Sequence, residues 1–123
     1  MARLSPARAG VPEYPGLERV GRGKVRDMHA NSQHPDVLIP VATDGLSIFD
    51  FVLNALVPEK GKILNAMNHF WMKMLEGYGI KTHLVAAGRD MIPFLPQELQ
   101  ENEDFLARAT VVSREAVLPV EFI

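Results

Sequence analysis

The chain contains no cysteine among its 123 residues. That excludes a disulfide framework, a thiolate metal site and a cysteine nucleophile, and it suits a reducing compartment such as the cytoplasm. It also lacks an excess of either charge: 13 lysines and arginines stand against 15 aspartates and glutamates, a formal net charge of −2. A nucleic-acid binder normally carries a basic excess or stripe, so no nucleic-acid partner is expected. Nowhere is there an uncharged apolar run long enough to span a bilayer, so the expectation is a soluble chain with no membrane partner. The opening "MARLSPARAGVPEYPGL" is broken by prolines and charges and has no continuous apolar region of the secretory kind. Internal repeats and low-complexity tracts are absent as well.

What remains is an ordinary globular composition, 47% hydrophobic, at a length that suits one domain. Residues 1–16 read as a flexible N-terminal arm and residues 17–123 as the domain. "LERV" and "VRDMHA" are strand-like and are joined through the glycine stretch "GRGK". "NSQHPD" is a hairpin connection, and "VLIPVAT" is an apolar strand whose Pro40 demands an edge position or a bulge. "IFDFVLNALVP" reads as one further strand and its exit. After the turn "EKGK", Ile63, Met67, Phe70, Trp71, Met74 and Tyr78 recur at helical spacing, and a stripe of that kind is expected in the core. Gly77 and Gly79 end this helix. "KTHLVAA" is a strand, Pro96 opens a short helix through Leu99, "QENEDF" is a solvated acidic stretch, and residues 107–123 supply two more strands broken around Leu118 and Pro119. The last residues, "VEFI", read as a strand cut off midway.

Three segments carry candidate chemistry. In "GRGKVRD", Gly21 and Gly23 let the backbone approach an anion, and Lys24 supplies a mobile positive charge. The full P-loop and dinucleotide fingerprints are absent, so on spacing alone a plain polar turn is favoured over a phosphate site. "ATDGLSIFD" gathers Asp44, Ser47 and Asp50 within seven residues; such groups hold Mg²⁺ or orient an amine or hydroxyl, or merely bond to nearby backbone in a turn, and spacing alone favours the turn. "PEKGK" places Lys60 and Lys62 beside Gly61 at a helix start, which reads equally as an anion site or as a solvated turn. His29, His34, His69 and His83 have no metal-ligand spacing and read as structural or surface residues.

The order of these segments is more specific than any one of them. "GKVRD", "VATDGLSIFD", "VPEKGKILNAMNHFW", "GIKTHLV" and "REAVLPVEFI", in that sequence, resemble SAICAR synthase, the phosphoribosylaminoimidazole-succinocarboxamide synthase family. The resemblance runs from about Val20 to Ile123 and covers only the first half or less of a typical member, so the chain reads as truncated. It implies an α+β fold: a β-rich lobe like a protein-kinase small lobe, set over a larger ATP-grasp-related part, with ATP between the two. It implies ATP-dependent ligation of L-aspartate to carboxyaminoimidazole ribonucleotide (CAIR) in purine biosynthesis, with ATP and Mg²⁺ as cofactors. The missing half would then come from a C-terminal partner chain, or the chain would work within a homo-oligomer. Catalytic roles fall on Asp44, Ser47, Asp50 and Lys60, and nucleotide contacts on Gly21, Gly23, Lys24, Arg26 and Glu121; no residue of this chain is assigned to the metal. One departure is Gly45, where the family usually carries arginine. A non-catalytic relic or interaction module, and a kinase-like small lobe of other specificity, are the rival readings.

Overall fold

The computed structural model describes residues 13–123. Most of the proposed N-terminal arm therefore lies outside the described residues. Ordered packing begins ahead of residue 17, because Tyr14 is buried edge-on against His29 and Phe105, with ring centroids 5.5 and 4.8 Å away.

Five antiparallel strands form one sheet. They are β1 (Glu18–Arg22), β2 (Arg26–Asn31), β3 (His34–Ala42), β6 (Leu84–Ala87) and β7 (Thr110–Ser113), in the order β1-β2-β3-β7-β6. A separate hairpin, β4 (Gly45–Ile48) and β5 (Phe51–Leu56), leads into helix α1 (Lys60–Gly77). Between β6 and β7 the chain makes 3₁₀ turns at Gly88–Phe94 and Gln97–Leu99 and then the short helix α2 (Glu103–Arg108). Alternation along β3 divides the sheet into two faces. Val37, Ile39 and Val41 point into a core closed by Met91, Leu95, Leu99, Phe105 and Leu106 from the turns and α2. Pro40 and Ala42 instead line a cleft against α1.

Several sequence-based expectations hold. The glycine stretch joins β1 to β2, Pro96 precedes a 3₁₀ turn, and α1 stops at the glycines. Gly79 is left-handed at φ 83°, its N–H donates to the Glu76 carbonyl, and the Ile80 N–H reaches the Leu75 carbonyl, which is a Schellman cap.

Others need correction. Pro40 sits in an interior strand, paired with Met28. The Thr43 N–H donates to Val25 across the β2 side, so by alternation the Pro40 nitrogen faces β7. There the ladder is interrupted: Leu38 pairs with Val112, and the next contact is an isolated bridge from Val41 to Ala109. The missing donor thus falls in a gap in the ladder. "IFDFVLNALVP" is not one strand, because Phe49 and Asp50 (φ 48° and 68°) make a two-residue hairpin turn between Ile48 and Phe51. "QENEDF" is only partly solvated: the Asn102 side chain caps α2 by accepting from the Phe105 N–H, and Phe105 and Leu106 are buried. Of the two strands expected in residues 107–123, only β7 forms, and residues 114–123 belong to no strand. The apolar stripe of α1 is exposed rather than core.

One buried polar group gives the fold a pH dependence. His29 on β2 is 1% exposed beneath Tyr14, and burial pushes its imidazole pKa down, partly opposed by nearby Asp27. With the folded value below the unfolded value of about 6.5, the unfolded chain takes up the proton first. Stability is full above that pH and falls as the pH drops beneath it, by at most about 1.4 kcal/mol per unit. Urea unfolding at pH 7.5 and 5.5 is expected to show this loss, and His29→Phe to flatten it. An equal slope in the variant would assign the proton uptake elsewhere.

Candidate functional site

The site is built where the glycine turn, the end of β3 and the start of α1 converge. The turn after β1 is closed by Gly23, whose N–H donates to the Arg26 carbonyl at 2.7 Å; a Cβ at Gly23 would lie 2.9 Å from that same oxygen. Gly23 is therefore required by the turn itself. Gly21 lies inside β1 opposite Met28, not in the turn, and a Cβ there would meet only ordinary contact at 3.7 Å. Thr43 fastens the turn to β3: its N–H and its hydroxyl both donate to the Val25 carbonyl, at 3.0 and 2.9 Å, and its Oγ1 accepts from the Gly45 N–H.

Asp44 is the hub of the second segment. Its Oδ1 accepts from the Gly61 N–H at 2.8 Å and its Oδ2 from the Glu59 N–H at 3.3 Å, so it caps α1 from 15 or more residues upstream. Glu59 itself, left-handed at φ 69°, makes no side-chain cap. Both oxygens also receive Arg108, at 2.5 and 3.0 Å in a bidentate pair whose side chains are 12% and 15% exposed. The Arg108 hydrogen bonds hold the Asp44 carboxyl below the usual aspartate range, against the opposing effect of burial, with the Gly61 N–H adding to the lowering. Asp44 in turn pushes the Arg108 pKa up. Arg108 extends the network to Asp104 at 3.0 Å, and Lys62 bridges Asp104 and Glu59. Lys60 donates to the Gly45 carbonyl at 2.9 Å. The functional groups of Asp44 and Lys60 are thus spent on joining "DG" to "EKGK".

At the outer edge the structure brings together two residues that are 26 apart in sequence. The Lys24 ammonium meets the Asp50 carboxylate at 2.5 Å, linking the glycine turn to the tip of the β4–β5 hairpin. Lys24 holds the Asp50 carboxyl below its ordinary range. Beside Asp50, Phe49 is 92% exposed. Ser47, on β4 opposite Val52, stands two residues before that tip. Arg26 does not join this group: it lines the cleft of about 60 Å³ between the sheet and α1, with Asn65, Asn68, His83 and Thr110. Arg22 is drawn back toward buried Asp27, 3.8 Å away. Glu121 lies in the exposed stretch after β7.

Sequence reading missed three positioning residues. Arg108 is the guanidinium beside Asp44, and its one local signal is Asp104 at i−4 on the same helix face. Asn65 ties α1 to the α2–β7 junction: its Nδ2 donates to the carbonyls of Ala107 and Ala109, and its Oδ1 accepts from the Thr110 hydroxyl. Thr43 carried no signal beyond its place before Asp44.

A family model described as SAICAR synthetase matches residues 19–123, which include every site residue named above. The chain belongs to the SAICAR synthetase family. It is 34% identical over 105 residues to the phosphoribosylaminoimidazole-succinocarboxamide synthase of Schizosaccharomyces pombe, a match that covers 85% of this chain and 34% of that protein. The Geobacter sulfurreducens protein of the same name is 36% identical over 112 residues, with 90% and 36% covered. Among solved structures, one titled SAICAR synthase superposes with a TM-score of 0.73 at 33% identity, covering 85% of this chain and 36% of the other. The Saccharomyces cerevisiae SAICAR synthase complexed with SAICAR superposes at 0.68 and 31%, with 81% and 34% covered. This SAICAR synthetase family chain therefore spans about one third of the length of the relatives it matches. No helix among the described residues is long and apolar enough to cross a membrane.

Proposed function

We propose that the chain is the part of a SAICAR synthase that covers ATP, in the ligation of L-aspartate to CAIR with release of ADP and phosphate. The observation that carries this reading is the Lys24–Asp50 pair at the mouth of a glycine turn. An exposed ammonium held by an exposed carboxylate is a cation already facing an anion, and a phosphate chain offers a stronger anion at the same place. The residues present fit such a group: Gly23 keeps the turn narrow, Gly21 adds no bulk before it, and Thr43 fixes its base. Bound ATP would supply the phosphoryl group that activates a carboxylate for attack by an amine. Lys24 would neutralise charge on that phosphoryl group, and positioning with charge neutralisation is most of what phosphoryl transfer requires of a protein. Ser47, Asp50 and Phe49, on the hairpin, would face the substrate side. Asp44 and Lys60 serve this reading as positioning residues, because they join β4 to α1. Glu121 would contribute through backbone near the base.

Mg²⁺ belongs to the proposed chemistry, but no group of three or more histidines or carboxylates among the described residues is arranged to hold a metal ion. No residue of this chain is assigned to it. The two-lobed arrangement, with a kinase-like lobe over an ATP-grasp-related part, is likewise a proposal, supported by the antiparallel sheet and by the share of the relatives that the chain spans.

The test is ADP release that depends on both aspartate and CAIR, from this chain assembled with the remaining part of the S. pombe relative. Loss of one charge-assisted contact corresponds to a fall in kcat/KM of about ten- to a hundredfold for Lys24→Ala. Unchanged kinetics in that variant would remove Lys24 from the phosphate role.

A further inference from the structure

Helix α1 presents its polar side to its own sheet and its apolar side to solvent. Asn65, Asn68 and Met72 line the cleft against the sheet, and Gly61 is the helix's one buried residue. On the opposite side Met67, Phe70, Trp71 and Met74 follow one another at helical spacing, with Phe70 57% and Trp71 54% exposed. Phe70 and Met74 line an open apolar groove with Ala66, His69 and Lys73, and Met67 and Trp71 are exposed on the same side of the helix. A surface helix normally turns its apolar stripe toward the core it helps to build, and a contiguous apolar patch on a soluble body marks a contact surface.

The geometry points to one occupant: the portion of the SAICAR synthase fold that lies outside this chain's match in its relatives. We infer that α1 is the helix on which that portion docks, with Phe70 and Trp71 at the centre of the contact. Two observations favour this occupant over a second copy of the chain. The exposed apolar surface is not confined to α1: it recurs on β5 at Phe51 and after β7 at Leu118 and Phe122. Exposed apolar side chains on α1, on β5 and in the stretch after β7 suit cover by a larger body better than a seam along one helix. Such a body exists in the family, because the matched part is only 34–36% of the solved chains. The inference rests on family membership and the exposed stripe, not on the nucleotide reading, so either can fail without the other.

Trp71 is the chain's single tryptophan, which makes it a direct reporter. The chain is prepared with 5-hydroxytryptophan at position 71, so that its emission is excited apart from other tryptophans. It is then mixed with the separately produced remainder of the S. pombe relative. The expected result is a one-to-one complex, a blue shift of the label and a roughly fivefold fall in its quenching by acrylamide. Met67→Glu and Phe70→Glu, at solvent-exposed positions, are expected to keep the circular dichroism of the parent and to lower affinity at least tenfold. A covalent chimera of this chain with the same remainder gives the same readout where affinity is not needed. Unchanged quenching in the chimera would overturn the proposal. So would a concentration-dependent dimer of the chain alone that buries Trp71 and is lost in Phe70→Glu, because that result assigns the face to a second copy.

Discussion

Arg108→Ala is expected to lower the unfolding free energy by about 3 kcal/mol, the lower part of the range for breaking a buried ion pair from one side. Arg108 and Asp44 are both largely buried, and removing the guanidinium leaves a carboxylate that has lost two charge-assisted hydrogen bonds. The N–H groups of Gly61 and Glu59 still reach that carboxylate, which is why the loss falls at the low end. Total stabilities of small domains run about 5–15 kcal/mol, so the change removes a large fraction of the whole. It also alters the acid limb. Because the folded Asp44 pKa lies below its unfolded value, its contribution is fully present above that value, about 4, and is lost as the pH falls through the lower, folded value. Without Arg108 the carboxyl titrates nearer its ordinary range, and acid unfolding is expected to begin at higher pH. Urea titrations at pH 7 and an acid titration followed by circular dichroism check both outcomes. A loss under 1 kcal/mol would mean that water replaces the guanidinium without penalty.

The same hub shows where sequence reading succeeds and where it stops. The glycine turn was legible because Gly23 answers a local need, the close approach of its own turn carbonyl, and local needs leave local signatures. The end of α1 was legible for the same reason, since Gly79 is left-handed and glycine is the usual residue there. Asp44 was visible as a candidate, but its engagement was not: the partner that defines it, Arg108, lies 64 residues away on a helix whose surroundings read as solvated. The hairpin tip was misread because Phe49 at positive φ breaks the usual preference for glycine, asparagine or aspartate, and Asp50 beside it was a single turn residue where a two-residue turn needs two. The spacing of the α1 stripe was read correctly and its direction wrongly. Periodicity shows that one side of a helix is apolar; it does not say whether this chain's own sheet or another body lies against that side.

Gly61→Ala is expected to cost about 3 kcal/mol, and the contrast with Gly77→Ala isolates the reason. A Cβ at Gly61 would lie 2.5 Å from the Ala42 carbonyl oxygen and 2.7 Å from the Arg108 Nη1. The first is backbone of a central strand and cannot give way locally, while the second is already fixed on Asp44. Overpacking of that kind typically costs about 1–3 kcal/mol, and here it also disturbs the N–H that Gly61 donates to Asp44. Alanine is favoured over glycine inside a helix by about 1 kcal/mol, which offsets part of the loss without reversing it. At Gly77, in the last turn of the same helix, a Cβ would meet nothing within 4 Å. There the helix preference acts unopposed, and Gly77→Ala is expected to gain about 0.5–1 kcal/mol. Chemical denaturation of the two variants side by side decides the matter, since intrinsic preference alone predicts the same sign at both positions. Opposite signs would show that α1 is seated through Gly61 against β3. In that case the double variant Gly61→Ala, Arg108→Ala should cost less than the sum of its parts, because removing Arg108 relieves one of the two clashes.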